Sequence, residues 1–416
     1  MPHDNTPTTL EDACRATVGD LRAALIDLYD SVGADPAAPQ DVARDLKLNK
    51  TLTWGIARVL QAADNLAAVS YVPGSPSIER VIDAASKRGA PLEAQHRVRD
   101  AARRFGEMIE VHAGDRATLD LIMDGLGQNG EIALEQSRKS AFLGNSGVYG
   151  VQAKTNLMSC VIAPNRDDPD QLDLAMLRGY QRIRRLRPSV KIPVFRVRQW
   201  SDAGQAIGNA EWSPLSAGAH DPFLRDFGRG AIPELQPVRA EGGWDYVLQP
   251  GPIGNGGAFD CYFADKLIAG ASRWRTDADH TGEFGTTISI PAARVVFDII
   301  AHKDVQFALD ASVHVYAFNF VSTPAHGNWD EDSRLPIRQP VVPLVGSPPA
   351  VATPMVPRYA EMAQLMYKSL GHDGEGFMGV RFELEYPPMG STVVLRFNLP
   401  SAQDQGGRAV PRHPAR

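Results

Sequence analysis

Residues 39–62, PQDVARDLKLNKTLTWGIARVLQA, predict two short helices joined by a tight turn. Apolar side chains recur there at helical spacing and can face inward, and a small residue can lie where the two helices cross. Asn49 can cap the second helix. The expected inward-facing residues are Val42, Leu46, Leu48, Ile56 and Leu60, with Ala43 as the small residue. This pattern is the outline of a helix-turn-helix, whose second helix enters the major groove in DNA-binding proteins.

The segment Asp41–Thr51, DVARDLKLNKT, resembles the helix-turn-helix of IclR-type and related winged-helix transcription regulators. There the pattern resembles (E/D)-(L/V)-A-x-x-x-G-L-x-K-(S/T), followed by a recognition helix. The resemblance extends over about residues 20–72 if a helix at 21–32 precedes the motif and a strand at 68–72 begins the wing. It implies that the residues at or near DNA are Asn49, Lys50, Thr51, Thr53, Trp54 and Arg58.

Lys47 stands at the position of the family's turn glycine. It must therefore adopt a left-handed backbone conformation, which is uncommon for lysine. The alternative interpretation is a helical bundle, or a degenerate winged helix, that contacts other proteins. A basic surface around Lys50 and Arg58 would favour DNA binding, whereas an apolar or acidic surface would favour protein contact.

The first 125 residues or so are expected to be mainly helical. A capping box at Thr8 and Glu11 predicts a helix from about Thr9 to Val32, and further helices are expected at 75–87, 92–112 and 116–126. The domain organisation predicted from the sequence is a disordered leader at 1–8, a helix-turn-helix domain at 9–74, a helical connecting region at 75–143, a mixed α+β domain at 144–400 and a disordered tail at 401–416.

In the mixed domain, GNSGVYG at 144–150 is expected to be a flexible junction, followed by a strand at 153–164. The sequence DPDQ at 168–171 has a capping-box pattern and predicts a helix that ends at Arg187. The segment 291–302 fits either a helix or a strand. The remaining predicted elements are strands at 192–200, 244–249, 258–269, 286–290 and 313–321, a proline-rich connection at 323–356 and a helix at 358–370.

Two hairpins are also predicted in this domain. Apolar residues alternate with charged ones at 380–386, and Val393, Leu395, Phe397 and Leu399 alternate again at 393–399, which indicates an antiparallel hairpin with one buried face. Arg396 is expected to face Glu383 or Glu385 across that pair. The glycine loop at 251–257 lacks the spacing of a phosphate-binding loop, so it is interpreted as a hairpin turn.

A basic run extends from Arg178 to Arg198 and holds eight positive charges in 21 residues without an acid. Its arginines could contact phosphates, and Arg182, Arg184 and Arg185 are the candidates for such secondary contacts. The alternative is a solvated helix face that pairs with acidic residues around 167–170 or 328–333.

Other clusters are interpreted as structural. Loop acids and histidines lack a recognised metal-ligand spacing, so no metal or cofactor is expected. No catalytic motif is visible, and the aromatic row on the strand near 314–320 is typical of a core. The residues concerned are Asp277, Asp279, His280, His326, Asp330, Glu331 and Asp332 in the loops, and His314, Tyr316, Phe318 and Phe320 in the row.

The composition excludes several classes of protein. The net charge of −6 argues against non-specific coating of nucleic acid, so any DNA contact must come from a local basic patch. Three scattered cysteines indicate neither a zinc knuckle nor a disulfide framework. No apolar run approaches the roughly 18–20 residues of a membrane span, so a soluble cytoplasmic protein is expected.

These patterns together predict an α+β protein that is a DNA-binding transcriptional regulator. A DNA site with two half-sites needs two recognition helices, so a homo-oligomer on double-stranded DNA is expected. The large domain would sense a small-molecule effector or mediate assembly. Two alternatives remain open. One is a structural or interaction protein whose helix-turn-helix does not bind DNA. The other, less favoured, is an enzyme with an unrecognised site in 144–400.

Overall fold

The computed structural model describes residues 9–126, 130–198, 212–215, 222–232, 234–240, 243–276, 280–317 and 331–402. The chain divides into two compact units, an N-terminal unit at Met1–Leu134 and a C-terminal unit at Glu135–Arg416. Helices make up the first, and sheets dominate the second. The predicted α+β class is therefore confirmed. No helix in the described ranges combines the length and apolar content of a membrane span.

The N-terminal unit is helical, as the sequence predicted. Its core lies between a long first helix and the amphipathic helices that pack against it, and Val18, Leu21 and Leu25 of the first helix are completely buried. The helices are α1 (Leu10–Ser31), α2 (Pro39–Asp45), α3 (Lys50–Gln61), α4 (Asn65–Ala68), α5 (Ser75–Lys87), α6 (Leu92–His112), α7 (Arg116–Leu126) and α8 (Gly130–Tyr149), of which α8 includes the boundary between the units.

The capping residue of α1 lies one position later than predicted. Thr9 precedes the helix, and its Oγ1 accepts a hydrogen bond from the Asp12 backbone nitrogen at 3.1 Å. The same hydroxyl donates to the Asp12 carboxylate at 2.7 Å. The cap is therefore formed by Thr9 and Asp12 instead of Thr8 and Glu11. Both pairs have suitable spacing, so the sequence pattern alone does not distinguish them.

The predicted wing strand at 68–72 is wrong. Residues 65–68 form α4, and Val69–Tyr71 form a turn of 3₁₀ helix that follows it directly. Asp64 Oδ1 accepts from the Ala67 backbone nitrogen at 2.8 Å and caps the helix. Ala68 and Val69 are buried in the helical core. A side-chain cap and burial against helices therefore outweigh the β propensity of this short apolar run.

The expected flexible junction at 144–150 is also wrong, because α8 continues to Tyr149. Ser146 is buried in this stretch, and its hydroxyl donates to the Phe142 backbone oxygen at 2.7 Å. Gly150 then takes a positive φ of 69° at the end of the helix, a conformation that glycine adopts readily. The glycines at 144 and 147 thus lie inside a helix and do not interrupt it.

The C-terminal unit is built on an eight-stranded sheet, with strand order β12-β13-β10-β1-β2-β8-β4 and β5 also paired with β8. Strands β1 and β10 are parallel, and the other pairs are antiparallel. The bounds are β1 (Val151–Pro164), β2 (Gln171–Arg185), β3 (Ile192–Arg198), β4 (Ser213–Pro214), β5 (Arg229–Gly230), β6 (Leu235–Ala240), β7 (Gly243–Leu248), β8 (Phe259–Ser272), β9 (Thr281–Thr287), β10 (Ala292–His302), β11 (Ser312–Tyr316), β12 (Val341–Leu344), α9 (Tyr359–Ser369), β13 (Phe377–Glu385) and β14 (Thr392–Asn398).

Both faces of this main sheet are covered. One face packs against α9 through Tyr359, Met362 and Met366, and the other packs against a small sheet with the order β11-β14-β9. A third sheet, β3-β7-β6, shares a further core with the beginning of β8. Strands buried on both faces show continuous apolar runs instead of alternation. The ambiguous segment 291–302 is such a strand, β10, next to β1 in the middle of the sheet.

The helix predicted from 168 to 187 is wrong, because residues 171–185 form β2. This strand pairs with β1 on one side and β8 on the other, so most of its side chains are buried. Asp168 does not cap a helix. Its Oδ1 accepts from the Asp170 backbone nitrogen at 3.1 Å, and its backbone oxygen accepts from Gln171 at 2.9 Å, which closes the turn between β1 and β2. An aspartate side chain that accepts from a nearby backbone nitrogen can form either a turn or a helix cap, so the sequence pattern is the same in both cases.

Neither predicted hairpin forms. Strand β13 pairs with β10 and β12, whereas β14 pairs with β11 and β9 in the facing sheet. Arg396 consequently contacts Glu283 at 2.5 Å instead of Glu383 or Glu385. The glycine loop 251–257 likewise connects strands of two different sheets, β7 and β8. The alternation of apolar and polar residues indicates that one face of a strand is buried, but it does not indicate which strand pairs with it.

Several other strand predictions are confirmed. The strands expected at 153–164, 244–249 and 258–269 are present as β1, β7 and β8. The strand expected at 286–290 lies slightly earlier, as β9, and the one expected at 313–321 begins as β11. The predicted helix near the C terminus is α9. The proline-rich connection contains the short edge strand β12, whose Pro343 lies at the border of the sheet.

Candidate functional site

The helix-turn-helix is present, and its turn has the geometry that the sequence requires. Lys47 has a φ of 51°, so the predicted left-handed conformation is confirmed. The Leu48 backbone nitrogen donates to Ala43 O at 2.9 Å and closes the turn after α2. Asn49 caps α3 as predicted, because its Oδ1 accepts from the Thr51 backbone nitrogen at 2.7 Å. These local bonds fix where α3 begins.

The inward face of the motif also agrees with the sequence. Val42, Leu46 and Ile56 are buried in the helical core, and Leu48 and Leu60 pack against it. These contacts hold α2 and α3 against the rest of the N-terminal unit. The opposite side of α3 is therefore the side that faces solvent.

Thr53 is a correction to the predicted interface. Only 2% of it is exposed, and its hydroxyl donates to the Lys50 backbone oxygen at 3.0 Å. It lies three residues before the buried Ile56 and therefore belongs to the inward stripe of α3. Thr53 supports the packing of the helix, and its side chain is not accessible to DNA.

Three of the other predicted residues form one exposed row. Lys50, Trp54 and Arg58 are spaced four residues apart, so they lie on the same face of α3. Trp54 is 48% exposed. The Arg58 guanidinium carbon lies 5.4 Å from the ring centroid of Tyr71, a cation–π contact that orients this long side chain. Thr51 is exposed beside this row.

The charge of this face is not neutralised within the described part of the chain. Helix α3 contains no acidic residue, and no carboxylate of the described residues lies within 4.0 Å of the charged nitrogens of Lys50 or Arg58. Five other exposed arginines of this unit do have acidic partners. Arg97 lies 2.8 Å from Asp27, and Arg44, Arg99, Arg103 and Arg104 are also ion-paired.

A groove of about 700 Å³ adjoins the turn and extends to the C-terminal half of α5. The turn itself lines one side of it, and Arg88 Nε donates to the Asp45 backbone oxygen at 3.2 Å across the groove. Cations outnumber acids among its charged lining residues, which are Asp45, Lys47, Arg80, Asp83, Lys87 and Arg88. The basic surface around the motif therefore extends beyond α3.

The predicted secondary phosphate contacts separate into two groups because they lie on a strand. Arg182 and Arg184 are on the same face of β2, and their guanidinium nitrogens approach Asn255 Oδ1 at 3.5 and 3.3 Å. Arg185 points the other way and is completely buried. Its NH2 donates to the Gln249 backbone oxygen at 2.5 Å, and burial lowers its pKa. Arg185 is therefore excluded as a phosphate contact.

Two other arginines of the basic run, Arg178 and Arg196, pair with acids other than those expected. Arg178 contacts both carboxylate oxygens of Asp265 on β8, at 2.5 and 2.6 Å. Arg196 lies 3.7 Å from Asp245 on β7. These partners come from neighbouring strands, whereas the loops at 167–170 and 328–333 were expected to supply them. The mistaken helix at 171–185 explains the wrong partners, since a strand exposes different faces.

The loop acids and histidines singled out in the sequence contribute little to the part of the surface that the structure describes. Asp277, Asp279, His326 and Asp330 lie outside the described residues, as do Phe318 and Phe320 of the aromatic row. Glu331 accepts hydrogen bonds from the Tyr316 hydroxyl at 2.8 Å and from Arg396 NH1 at 3.3 Å. His314 stacks on Tyr316 with ring centroids 6.0 Å apart. These contacts join β11 to β14.

Two lysines near Arg182 and Arg184 were missed by sequence reasoning. Lys139 of α8 and Lys154 of β1 line the same cavity as these arginines. Lys154 lies in a predicted strand, but the helix predicted at 168–187 gave no reason to place it beside Arg182 and Arg184. Lys139 had no local signal, since it approaches the cavity from a separate helix.

Comparison of the sequence with protein-family models finds no match, and comparison with curated proteins finds none either. The functional inference therefore rests on the positions and charges of the side chains in the described residues. The outer face of α3 and the cavity beside β2 both carry several cations that form no ion pair among the described residues.

Proposed function

We propose that this protein is a DNA-binding transcriptional regulator whose N-terminal unit contacts duplex DNA through α3. The observation that carries the proposal is the exposed row of Lys50, Trp54 and Arg58 on the second helix of a helix-turn-helix, without a carboxylate partner among the described residues. The residues that would meet base edges or phosphates are Asn49, Lys50, Thr51, Trp54 and Arg58. Thr53 is excluded by its burial.

The groove beside the turn supports this proposal. Phosphate contacts fix the register of a recognition helix, and base contacts then provide sequence preference. Lys47, Arg80 and Lys87 lie at the groove and would supply such phosphate contacts. No strand follows α3 within residues 62–126, so a wing does not contribute. Affinity would depend on the cations of α3, the turn and α5.

The proposal also covers assembly and regulation. Two half-sites on DNA require two recognition helices, so we propose a homodimer. The C-terminal unit would then mediate assembly or sense a small-molecule effector. The cytoplasm is the proposed location, because a regulator of transcription needs access to DNA there.

The test is binding of the purified full-length protein to fluorescent duplex fragments that cover a genomic library, followed by anisotropy at several salt concentrations. Because counterions are released from DNA, we expect affinity to fall steeply as salt rises. The double variant Lys50→Gln/Arg58→Gln should weaken binding by about tenfold or more and reduce the salt slope by about two, one for each lost phosphate contact.

The matched control is Arg97→Gln/Arg103→Gln on α6. It removes two positive charges from the same unit, where both arginines are ion-paired with acids. Binding by this control should remain close to that of the unmodified protein. Absence of binding at every salt concentration, or equal weakening by the two double variants, would contradict the proposal.

A second candidate function is contact with another protein, which the exposed rings favour. Trp54 and Tyr71 are 48% and 40% exposed, and aromatic residues are enriched in protein interfaces. Trp54→Ala leaves both cations of α3 in place. If it abolishes self-association in sedimentation experiments and leaves DNA affinity unchanged, the surface of α3 is a protein interface.

A further inference from the structure

A second basic site lies in the C-terminal unit, at one end of the main sheet. It is a cavity of about 250 Å³ between the ends of β1, β2 and β10 and the helix α8. Gln152 and Arg184 lie opposite each other in the β1–β2 register. Lys154 and Arg182 line the same cavity as this pair, and Arg182 has a φ of 52° at an irregularity in the pairing of β2 with β8. The antiparallel pairing of β1 and β2 therefore brings these side chains together.

The cavity concentrates positive charge. Lys139, Lys154, Arg182 and Arg184 all line it, and its described lining residues include no carboxylate. Nor does any acidic side chain in the described ranges form an ion pair with these four residues. The repulsion among four close cations disfavours this arrangement unless solvent or an anion compensates it. A bound anion would therefore relieve unfavourable electrostatic energy.

Neutral amides hold the two arginines in place. With its amide oxygen oriented toward Arg184, Gln152 accepts from Arg184 Nε at 2.6 Å and donates to Ser146 Oγ at 3.2 Å. Asn255 Oδ1 accepts from both Arg182 and Arg184, at 3.5 and 3.3 Å. An amide orients a guanidinium without cancelling its charge, so donors remain available for a ligand.

One wall of the cavity is aromatic. The rings of Phe142 and Tyr386 lie 5.5 Å apart between centroids, and Lys139 Nζ lies 5.9 Å from the Tyr386 ring. Tyr386 has a φ of 50°, and its backbone nitrogen donates to Ala293 O at 2.9 Å, which fixes it beside β10. A ligand with a flat ring beside its charged group would therefore contact both walls.

We propose that this cavity binds a small molecule that carries a terminal phosphate group on a flat ring. The planar guanidinium groups of two arginines can each donate two hydrogen bonds to the oxygens of a tetrahedral phosphate, and the surplus of cations suits a dianion better than a monoanionic carboxylate. The cavity is somewhat smaller than the roughly 300–1,000 Å³ typical of drug-sized ligands. With β strands on one side and α8 on the other, it suits a terminal group better than a continuous nucleic-acid strand.

The test is isothermal titration calorimetry on the full-length protein with three probes: phenyl phosphate, inorganic phosphate and phenol. Phenyl phosphate should bind most tightly, inorganic phosphate more weakly, and phenol without measurable heat. Because hydrogen bonds to charged groups contribute strongly, Lys154→Gln and Arg182→Gln should each weaken binding of phenyl phosphate by about tenfold. Both residues are exposed, so the fold should be retained, which thermal melting will verify.

The control variant is Lys191→Gln, which removes an exposed cation of the same unit outside the cavity lining. It should bind phenyl phosphate like the unmodified protein. Absence of binding by both phosphate probes, or equal weakening by Lys191→Gln, overturns the proposal. Equal affinity for phenyl phosphate and inorganic phosphate overturns the proposal that the aromatic wall contacts a ring of the ligand.

The DNA proposal and this one fail separately. The α3 variant Lys50→Gln/Arg58→Gln should retain full affinity for phenyl phosphate, because its changes lie in the N-terminal unit. If Lys154→Gln and Arg182→Gln instead reduce DNA affinity while leaving phenyl phosphate binding unchanged, the cavity contacts a phosphodiester backbone. That outcome would overturn the small-molecule assignment.

Discussion

Two arginines on the same strand, Arg178 and Arg184, have opposite electrostatic surroundings. Arg178 donates to both carboxylate oxygens of Asp265, and the Asp265 side chain is almost completely buried. Arg184 meets only the amide oxygens of Gln152 and Asn255, at the end of the sheet. In the interior, desolvation requires that a charge be paired with an opposite charge. At the end of the sheet, water substitutes for that partner and the charge stays available to a ligand.

The centre of the sheet contains a second neutralised charge. Asp298 on β10 is completely buried, and Arg381 on β13 donates to both of its carboxylate oxygens at 2.8 and 2.7 Å. The Tyr359 hydroxyl of α9 donates to Asp298 at 2.8 Å. Burial raises the pKa of Asp298, and Arg381 opposes that shift. This network joins two strands to the helix that covers them.

The largest expected effect comes from breaking this buried pair. Arg381→Met should lower the free energy of unfolding by about 3–5 kcal/mol, because Asp298 would be left buried without its counter-charge. Urea denaturation followed by circular dichroism measures this loss. Replacing both partners, in Asp298→Leu/Arg381→Met, should recover much of the stability, since no unpaired charge then remains.

The matched control for that prediction is Arg294→Met. Arg294 contacts Glu383 and Glu385, whose side chains are 34% and 43% exposed. Removing a partner of such solvated carboxylates should lower the free energy of unfolding by no more than about 1 kcal/mol. Equal losses for Arg381→Met and Arg294→Met would refute the distinction between the centre of the sheet and its surface.

A smaller effect is expected from two partly buried histidines, of which His302 lies 3.3 Å from the Asp304 carboxylate, whose charge opposes but does not reverse the effect of burial on its pKa. The rings of His302 and His372 lie 5.3 Å apart, and burial lowers the pKa of both, with His302 lowering that of His372 further. The folded state therefore binds protons more weakly than the unfolded chain, whose histidines titrate near pH 6.5. Stability should consequently rise with pH and be lost as the pH falls below about 6.5.

Urea denaturation at pH 7.5 and pH 5.5 measures this dependence. The loss at pH 5.5 should be smaller than that caused by Arg381→Met, because neither imidazole is fully removed from water. His302→Gln/His372→Gln should show a weaker dependence on pH over the same interval. A protein that is more stable at pH 5.5, or a double variant with an unchanged pH dependence, would rule out this histidine pair as the cause.

The smallest effect on stability is expected at the basic cavity. Arg182→Gln and Lys154→Gln should change the free energy of unfolding by no more than about 0.5 kcal/mol, because both side chains are exposed and form no ion pair among the described residues, and the contact of Asp260 with Arg182 is a hydrogen bond from the backbone nitrogen that glutamine keeps. A slight gain is expected from reduced repulsion. A loss above about 1 kcal/mol in urea denaturation would show that these cations stabilise the fold instead of remaining free for a ligand.

Much of the α3 surface could be predicted from the sequence. The cap at Asn49, the left-handed Lys47 and the exposed row of α3 all follow from interactions within a few residues. Thr53 could have been excluded by the same periodicity, since it lies three residues before Ile56. The basic cavity could not be predicted, because Lys139 and Arg182 come from elements whose pairing the sequence left open.

The sequence by itself determined the longer helices of the N-terminal unit and the presence of many strands, because caps, turns and periodicity act over short distances along the chain. Only the tertiary structure decided that residues 171–185 form a strand and that β13 and β14 join different sheets. The ion pair of Arg396 with Glu283 connects residues 113 positions apart. Such pairings depend on which buried faces meet, and local propensity carries no information about that choice.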